Sequence, residues 1–162
     1  MSNVVIGVGD LAASKTSGDV LKTYALGSCV AVVLLHPKTR TVGMVHVVLP
    51  ESNINPAKAK EKPGYFADTG IPALLREMAK LGCQKGSGPM VVKLAGGAQI
   101  LDDNNTFNIG KRNVLAVKKV LWQFGLGAVG EDVGSTISRT VAVNVNTGET
   151  VIISPGRPNR NL

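Results

Sequence analysis

The chain has 162 residues and a net charge of +7, and 44% of its residues are hydrophobic against 18% charged. These values are typical of one globular domain of ordinary size and exclude an intrinsically disordered chain. No apolar run reaches the length of a membrane span, and the first residues lack a secretory signal, so we expect a cytoplasmic protein with no membrane insertion. The two cysteines, Cys29 and Cys83, are too few for a disulfide framework, and we expect free thiols.

The positive charge does not by itself indicate nucleic-acid binding. The basic residues are scattered along the chain, without a stripe of interleaved aromatic residues and without a helix-turn-helix or RNA-binding signature. We assign the charge to a solvated surface or to attraction of an acidic protein partner. Binding to DNA is the alternative, and it predicts steeply salt-dependent retention.

The first part of the chain is predicted to form strands. Residues 4–8, 11–16 and 20–24 have strand character, and residues 30–35 are a continuous apolar run of the kind found in buried strands. Residues 36–40 are predicted to connect a hairpin whose second strand is 41–49. Residues 50–63 contain three prolines and three lysines without periodicity, which indicates a long loop or flap.

The second part mixes helices and strands. Asp68 or Thr69 is a candidate N-cap for a helix to about Leu81, and a second helix is predicted from about Gly110 to Phe124. The first helix buries Ile71, Leu74, Leu75, Met78 and Leu81, and the second buries Val114, Val117, Val120, Leu121 and Phe124. Further strands are expected at 90–94, 128–133, 140–145 and 150–153. Residues 102–108 are polar and turn-rich.

This order of elements predicts an α+β fold. Many strands, several in hairpins, accompany two amphipathic helices, so one sheet should pack on the helices with one face and on a second sheet with the other. We expect one domain over residues 1–154. Residues 155–162 form a polar tail without a core face, which we expect to be flexible.

The predicted hairpin brings a thiol and an imidazole together. If His36 pairs with Thr41, Cys29 lies opposite Val48 and His46 is its diagonal neighbour on the same face, about 7–8 Å away at Cα. A register shifted by one residue would move the histidine to the other face. A cysteine beside a histidine is the arrangement that nucleophilic catalysis requires.

Several other residues have a structural interpretation or an orienting role. Cys83 follows a helix-stopping glycine without a histidine nearby in sequence, which favours a structural role. His36 precedes a proline and is predicted to be a surface turn residue. Thr23 is a good strand residue, but its hydroxyl is also able to orient an imidazole.

These residues resemble the CheD family, the chemoreceptor glutamine deamidases of bacterial chemotaxis. The resemblance is carried by Thr23, the run Leu26-Gly27-Ser28-Cys29-Val30 and the segment Val45-His46-Val47. Later blocks extend it, namely Tyr65-Phe66-Ala67-Asp68-Thr69, Lys93-Leu94-Ala95-Gly96-Gly97-Ala98, Ile109-Gly110-Lys111-Arg112-Asn113 and Glu131-Asp132-Val133-Gly134. The chain departs from the family pattern at Ala95, at Ser135 and at Ser138-Arg139-Thr140.

The resemblance implies a fold and an activity. The fold is an α-β-β layered sandwich similar to the catalytic domain of cytotoxic necrotizing factor toxins. Cys29 is the nucleophile, His46 the base and Thr23 its orienting partner, and they convert receptor glutamines to glutamate through a thioester, with release of ammonia. No metal or organic cofactor is needed.

The same resemblance implies how the site works and what it meets. His46 would form a thiolate–imidazolium pair with Cys29 and lower the pKa of the thiol. Backbone N–H groups of the Gly27-Ser28-Cys29 turn are candidates to stabilise the oxyanion. The substrate is the cytoplasmic helical region of chemotaxis receptors, glutamyl methyl esters are a second possible substrate, and a CheC-type phosphatase is a possible partner. The alternative is a regulatory module that binds these partners with little catalysis.

Overall fold

A computed structural model describes residues 2–84, 88–99 and 108–162 of the chain. The described strands are β1 (Ser2–Val5), β2 (Leu11–Ser14), β3 (Asp19–Leu26), β4 (Val30–His36), β5 (Thr41–Val47), β6 (Val91–Gly96), β7 (Ala128–Val133), β8 (Arg139–Asn144), β9 (Thr150–Ile153) and β10 (Arg160–Asn161). The α-helices in these ranges are α1 (Pro56–Glu61), α2 (Ala67–Lys80) and α3 (Ile109–Gln123). The prediction for residues 102–107 lies outside the described residues.

The strands form two sheets of mostly antiparallel strands, which confirms the α+β class. An outer sheet has the order β1-β3-β8-β9-β10, and a central sheet has the order β2-β5-β4-β6-β7. Two neighbouring pairs are parallel, β1 with β3 and β6 with β7. In the hairpin of β4 and β5, His36 pairs with Thr41 and Ala31 with His46, so the predicted register is confirmed.

The central sheet is buried on both faces, which explains the continuous apolar run of β4. Val30, Val32 and Leu34 pack with α2 and α3 in one core. The alternate residues Ala31, Val33 and Leu35 pack against the outer sheet in a second core. The helices, the central sheet and the outer sheet therefore form three successive layers.

The sequence predicts a long loop or flap at residues 50–63, but the segment contains helical structure. It holds α1 between single 3-10 turns at Ser52–Ile54 and Pro63–Tyr65. Asn55 begins α1, because its side chain accepts a hydrogen bond from the Lys58 N–H at 3.1 Å. This N-cap compensates for an amide that has no partner within the helix.

The predicted N-cap of the following helix is wrong. The helix α2 begins at Ala67 without a side-chain cap. The carboxylate of Asp68 accepts hydrogen bonds from the Ser52 N–H and hydroxyl, and Thr69 donates to the Pro63 carbonyl at 2.5 Å. Both side chains therefore tie α2 to the preceding segment and leave its first turn uncapped.

Two further expectations about burial are wrong. Phe124, predicted to face the core, is 48% exposed because α3 ends at Gln123. The expected absence of a core face in 155–162 is contradicted by Leu162, which packs against the core between the sheets, while Arg160 and Asn161 pair with β9. No helix in the described ranges has the length and apolar character to cross a bilayer.

Candidate active site

A hydrogen bond across the two sheets joins Thr23 to His46. Thr23 lies on β3 of the outer sheet and His46 on β5 of the central sheet. Both are buried, and Thr23 Oγ1 lies 2.7 Å from His46 Nδ1. Side chains alternate along a strand, so a β-bulge that places Ala25 at a φ of 56° lets both Thr23 and Leu26 face the interior.

The hydrogen bonds of Thr23 fix the tautomer of His46. Its hydroxyl donates to the carbonyl of Ile6 at 2.6 Å. A hydroxyl has one proton to donate, so the contact with His46 requires Nδ1–H as the donor. In the neutral ring Nε2 then carries the free lone pair, which is the atom a general base needs. Nε2 is buried and has no hydrogen-bond partner among the described residues.

Cys29 lies at the crossing between the two sheets. The chain leaves the outer sheet at Leu26, turns at Gly27-Ser28 and enters β4 at Val30. Because Ala31 is opposite His46, Cys29 occupies the diagonal position on the same face. The thiol packs beside the core between the sheets and is only partly buried.

Structure and sequence disagree about the resting charge state of Cys29 and His46. Burial raises the pKa of the Cys29 thiol above its ordinary value, and the backbone N–H of the same residue offsets part of that rise. Burial lowers the pKa of His46 to about 4, and the nearby Asp10 carboxylate opposes the change. Both shifts favour a neutral thiol and a neutral imidazole, so the expected ion pair with a lowered thiol pKa is wrong for this state.

The buried imidazole predicts an acid-sensitive contribution to stability. The unfolded chain takes up a proton at the ordinary histidine pKa of 6.5, whereas His46 in the folded protein does so at about 4. Stability is therefore lost as the pH falls between these two values, by about 3 kcal/mol. We expect urea unfolding at pH values above and below this window to show that loss in the wild type and a smaller one in His46→Gln. An equal loss in both would contradict the assignment.

All three carbonyl groups of the predicted oxyanion turn are anchored to the protein. The Gly27 carbonyl accepts from the Ala98 N–H at 2.8 Å and the Cys29 carbonyl from the Gly97 N–H at 2.8 Å. The Ser28 carbonyl accepts from Asn113 Nδ2 at 2.9 Å. Among the described residues, nothing accepts a backbone hydrogen bond from the N–H of Gly27 or Ser28. These anchors hold the peptide units of the turn in place.

The turn requires a glycine at position 96. Gly96 has a φ of 113°, and a Cβ atom built there would lie 2.2 Å from the Cys29 carbonyl oxygen. Glycine, which lacks a Cβ atom, permits this close approach of the two backbone segments.

We expect Gly96→Ala to destabilise the protein by at least about 2 kcal/mol, because it adds a steric overlap to a strained φ. Gly125→Ala is the matched control, since Gly125 also has a positive φ of 73° but nothing lies within 4 Å of its Cβ position. The midpoints of denaturant unfolding measure both effects. Equal midpoints for the two variants would show that the contact with Cys29 is unimportant.

A partly buried ion-pair network supports the same region, and the sequence did not predict it. Arg139 is 3% exposed and contacts Asp132 at 2.7 Å, while its Nη1 donates to the Gly96 carbonyl at 3.2 Å. Arg160 binds the other Asp132 oxygen at 2.7 Å. The hydrogen bond from Arg160, together with Arg139, holds the pKa of Asp132 below its usual range. The positions of Asp132, Arg139 and Arg160 in the sequence do not indicate that the three side chains meet.

Cys83 and His36 lie away from this site. Cys83 is buried, with its sulfur 3.3 Å from Thr39 Oγ1, in agreement with a structural role. The prediction that His36 is a surface turn residue is wrong. It is fully buried at the end of β4, and its Nδ1 lies 2.7 Å from Thr39 Oγ1. Neither residue is brought to Cys29.

The surroundings of the turn include a cavity but no metal cluster. A cavity of about 450 Å³ adjoins Gly97 and is also lined by Gln99, Lys111, Leu115 and Ser135. Within the described part of the chain, no three His, Cys, Asp or Glu side chains are placed to share a metal ion.

Comparison with known proteins places this arrangement in one family. The profile of the CheD chemotactic sensory transduction family matches residues 48–154, a segment that begins just after His46. A probable chemoreceptor glutamine deamidase CheD from Syntrophotalea carbinolica is 54% identical over 97% of both chains. A further protein named as a probable chemoreceptor glutamine deamidase CheD, from Syntrophus aciditrophicus, is 46% identical over the whole of both chains.

A more distant relative agrees with these two. The chemoreceptor glutamine deamidase CheD of Thermotoga maritima is 40% identical over 94% of this chain and 92% of its own. The similarity to all three extends well before residue 48 and therefore spans the strands that carry Thr23, Cys29 and His46. With the profile match over the later two thirds of the sequence, these relatives show that the chain belongs to the CheD family.

Proposed function

We propose that this protein is a protein-glutamine deamidase that converts glutamine side chains of chemoreceptors to glutamate. The observation that carries the proposal is the Thr23–His46 hydrogen bond, which leaves Nε2 unpartnered on the face where Cys29 lies. The names of the relatives supply the substrate, because each is described as a chemoreceptor glutamine deamidase. A thiol, an oriented base and backbone N–H donors are the parts that amide hydrolysis needs.

The first half of the reaction forms a thioester. His46 Nε2 accepts the Cys29 proton as the sulfur attacks the carboxamide carbon, so the thiolate is generated during attack and does not exist beforehand. The resulting oxyanion receives hydrogen bonds from backbone N–H groups at Gly27, Ser28 and Cys29. The imidazolium then returns the proton to the departing nitrogen, the carbon–nitrogen bond breaks, and ammonia leaves.

The second half regenerates the thiol. His46 accepts a proton from water, the hydroxide attacks the thioester carbon, and the carbon–sulfur bond breaks to leave glutamate and a thiolate that takes the proton back. The neutral resting state of both groups supports this order, because the pKa of His46 near 4 leaves its lone pair free at physiological pH. The same acyl-enzyme would form from a glutamyl methyl ester, so we include methylesterase activity as a second proposed reaction.

Cys29 and Nε2 do not share a hydrogen bond in this structure. The partly exposed Cys29 comes immediately before β4, in the position diagonal to His46 across the hairpin. Catalytic contacts of this kind often tighten only when substrate is bound. We therefore propose that the carboxamide completes the alignment.

The proposed substrate is the cytoplasmic helical region of chemoreceptors. The enzyme has a net charge of +7, and Lys111, Arg112 and Lys119 are exposed on α3, the helix whose Asn113 contacts the turn that carries Cys29. Such a surface supports attraction of an acidic helix over long distances. A CheC-type phosphatase as partner, a cytoplasmic location, independence of cofactors and the likeness to cytotoxic necrotizing factor toxins stay predictions.

The test is mass spectrometry of a chemoreceptor cytoplasmic fragment after incubation with the protein. We expect specific glutamines to gain the mass of an amide-to-acid conversion, and ammonia to appear in equal amount. The alternative is a regulatory module that binds receptors and a CheC-type phosphatase with little catalysis. It would give stable binding of the fragment without any mass change.

Thr23→Val should lower turnover less than loss of either reacting group. Valine keeps the shape of threonine but cannot accept from Nδ1, so the ring loses its fixed tautomer and orientation. We expect kcat to fall by about 10-fold, well below the full contribution of a general base. Thr23→Ser keeps the hydroxyl and should retain most of the activity. Equal kcat values for valine and serine would contradict the orienting role.

A further inference from the structure

The pairing of β4 with β5 stops just before Cys29. The last paired residues are Val30 and Val47, and beyond them the Val48 N–H turns away to the Tyr65 carbonyl at 2.9 Å. The carbonyl groups of Ser28 and Val48 have therefore left the ladder. Buried backbone carbonyls need hydrogen-bond donors from elsewhere.

One side chain satisfies both carbonyls. Asn113 of α3 is fully buried, and its Nδ2 donates to the Ser28 carbonyl at 2.9 Å and to the Val48 carbonyl at 2.8 Å. A primary amide carries two N–H donors on a single nitrogen, which suits two acceptors on separating strands. Asn113 thus spans the gap between the strand that carries the nucleophile and the strand that carries the base.

This contact fixes the direction of a particular N–H group. The Ser28 carbonyl and the Cys29 N–H belong to one planar trans peptide unit, so they point in opposite directions. With the carbonyl held toward α3, the Cys29 N–H points away from the helix. The oxyanion of the attack step is carried by the carbon bonded to the sulfur of the same residue, so this N–H is a candidate donor to it.

The side-chain oxygen of Asn113 indicates that this position is used for its N–H donors. Its Oδ1 is buried and has no hydrogen-bond partner among the described residues. An unsatisfied buried acceptor is unfavourable, so a smaller apolar residue would suit this position if it only had to fill space.

We infer that Asn113 is a positioning residue for deamidation, which aims the Cys29 N–H at the oxyanion by holding the Ser28 carbonyl. The inference rests on the proposed function. Asn113 acts through the peptide unit and does not touch the substrate. It therefore contributes to stabilisation of the transition state and does not change the nucleophilicity of the Cys29 thiol.

The experiment compares deamidation with alkylation in Asn113→Ala and Asn113→Ser. We expect kcat for ammonia release to fall by about 10²-fold in the alanine variant, the effect of losing one oxyanion donor, with KM changed less than about two-fold. Labelling of Cys29 by iodoacetamide develops no oxyanion and should keep its rate. The serine variant retains one donor and should lie between alanine and wild type. Thr69→Val, which loses a hydroxyl–carbonyl bond elsewhere, should keep kcat.

Three outcomes would overturn the inference: an unchanged kcat, a kcat loss matched by an equal loss of labelling rate, or a loss expressed mainly in KM. Amide NMR spectra check that each variant is folded, and the serine variant carries the comparison if alanine unfolds. If the wild type releases no ammonia, the proposed function fails instead. Hydrogen exchange of the Cys29 amide tests the positioning step separately from activity: an unchanged exchange rate in both variants would show that Asn113 does not hold that peptide unit.

Discussion

Cys29→Ala is expected to reduce ammonia release from a chemoreceptor fragment to the uncatalysed background, a loss of more than about 10³-fold. The sulfur is the only proposed nucleophile, and the remaining oxyanion donors have nothing to stabilise without its attack. Binding of the fragment should persist, because the variant keeps the Gly27-Ser28 turn and the cationic positions on α3. Loss of turnover with retained binding would separate catalysis from docking.

Cys83→Ala is the matched control for this variant. Cys83 is buried against Thr39 at the far end of the hairpin, so its loss should affect stability and leave kcat unchanged. Iodoacetamide should label the partly exposed Cys29 in preference to Cys83. Wild-type rates in Cys29→Ala would refute the nucleophile assignment, and the regulatory-module alternative would then be favoured.

Replacing His46 with glutamine should lower kcat/KM by about 10²–10⁴-fold, the usual contribution of a general base. Glutamine has similar length and can still contact Thr23, but it cannot accept and return a proton. The pH profile of the wild type gives the assignment its sharpest test. Because the pKa of His46 is about 4, kcat/KM should hold through mildly acidic pH and fall only as the pH approaches that value.

The residual kcat/KM of His46→Gln should not show this fall at acidic pH. A wild-type limb near the ordinary histidine pKa of 6.5 would show that the free enzyme has a solvated or ion-paired imidazole. The alkylation rate of Cys29 supplies an independent measurement. Since burial raises the pKa of the thiol, that rate should keep increasing with pH into the alkaline range, whereas an ion pair would already plateau near neutrality.

The fold elements with strong local patterns were predictable from sequence. The apolar run of β4, the hairpin that follows it and the amphipathic helices α2 and α3 all lie close to their expected positions. The hairpin register was also predictable, because the connection at 36–40 is short and a shift of one residue would turn every buried side chain outward. Placing Cys29 and His46 on one face followed from that register alone.

Features that depend on tertiary contacts could not be read in the same way. The N-cap predicted at Asp68 or Thr69 failed because both side chains bond to the segment before the helix. The proline after His36 predicts a surface position for this histidine, yet packing buries it completely. The resting charges of Cys29 and His46 depend on desolvation, which sequence neighbours do not determine.

Asn113, the proposed positioning residue, is the clearest case that sequence reasoning did not identify. It lies within a block that resembles the family, but its spacing from Cys29 gives no sign of contact. Only the three-dimensional arrangement shows its amide between Ser28 and Val48. An asparagine at a core-facing position of an amphipathic helix is the one signal that could have prompted the question.

Since Thr23 belongs to one layer and His46 to another, the 2.7 Å contact between them also measures how the two sheets are aligned. A slide of one sheet past the other by a single ångström would separate these atoms while leaving each ladder intact. Mild denaturant or heat should therefore inactivate the enzyme before circular dichroism detects any loss of strands. Turnover would then report loosening between layers long before the fold is lost.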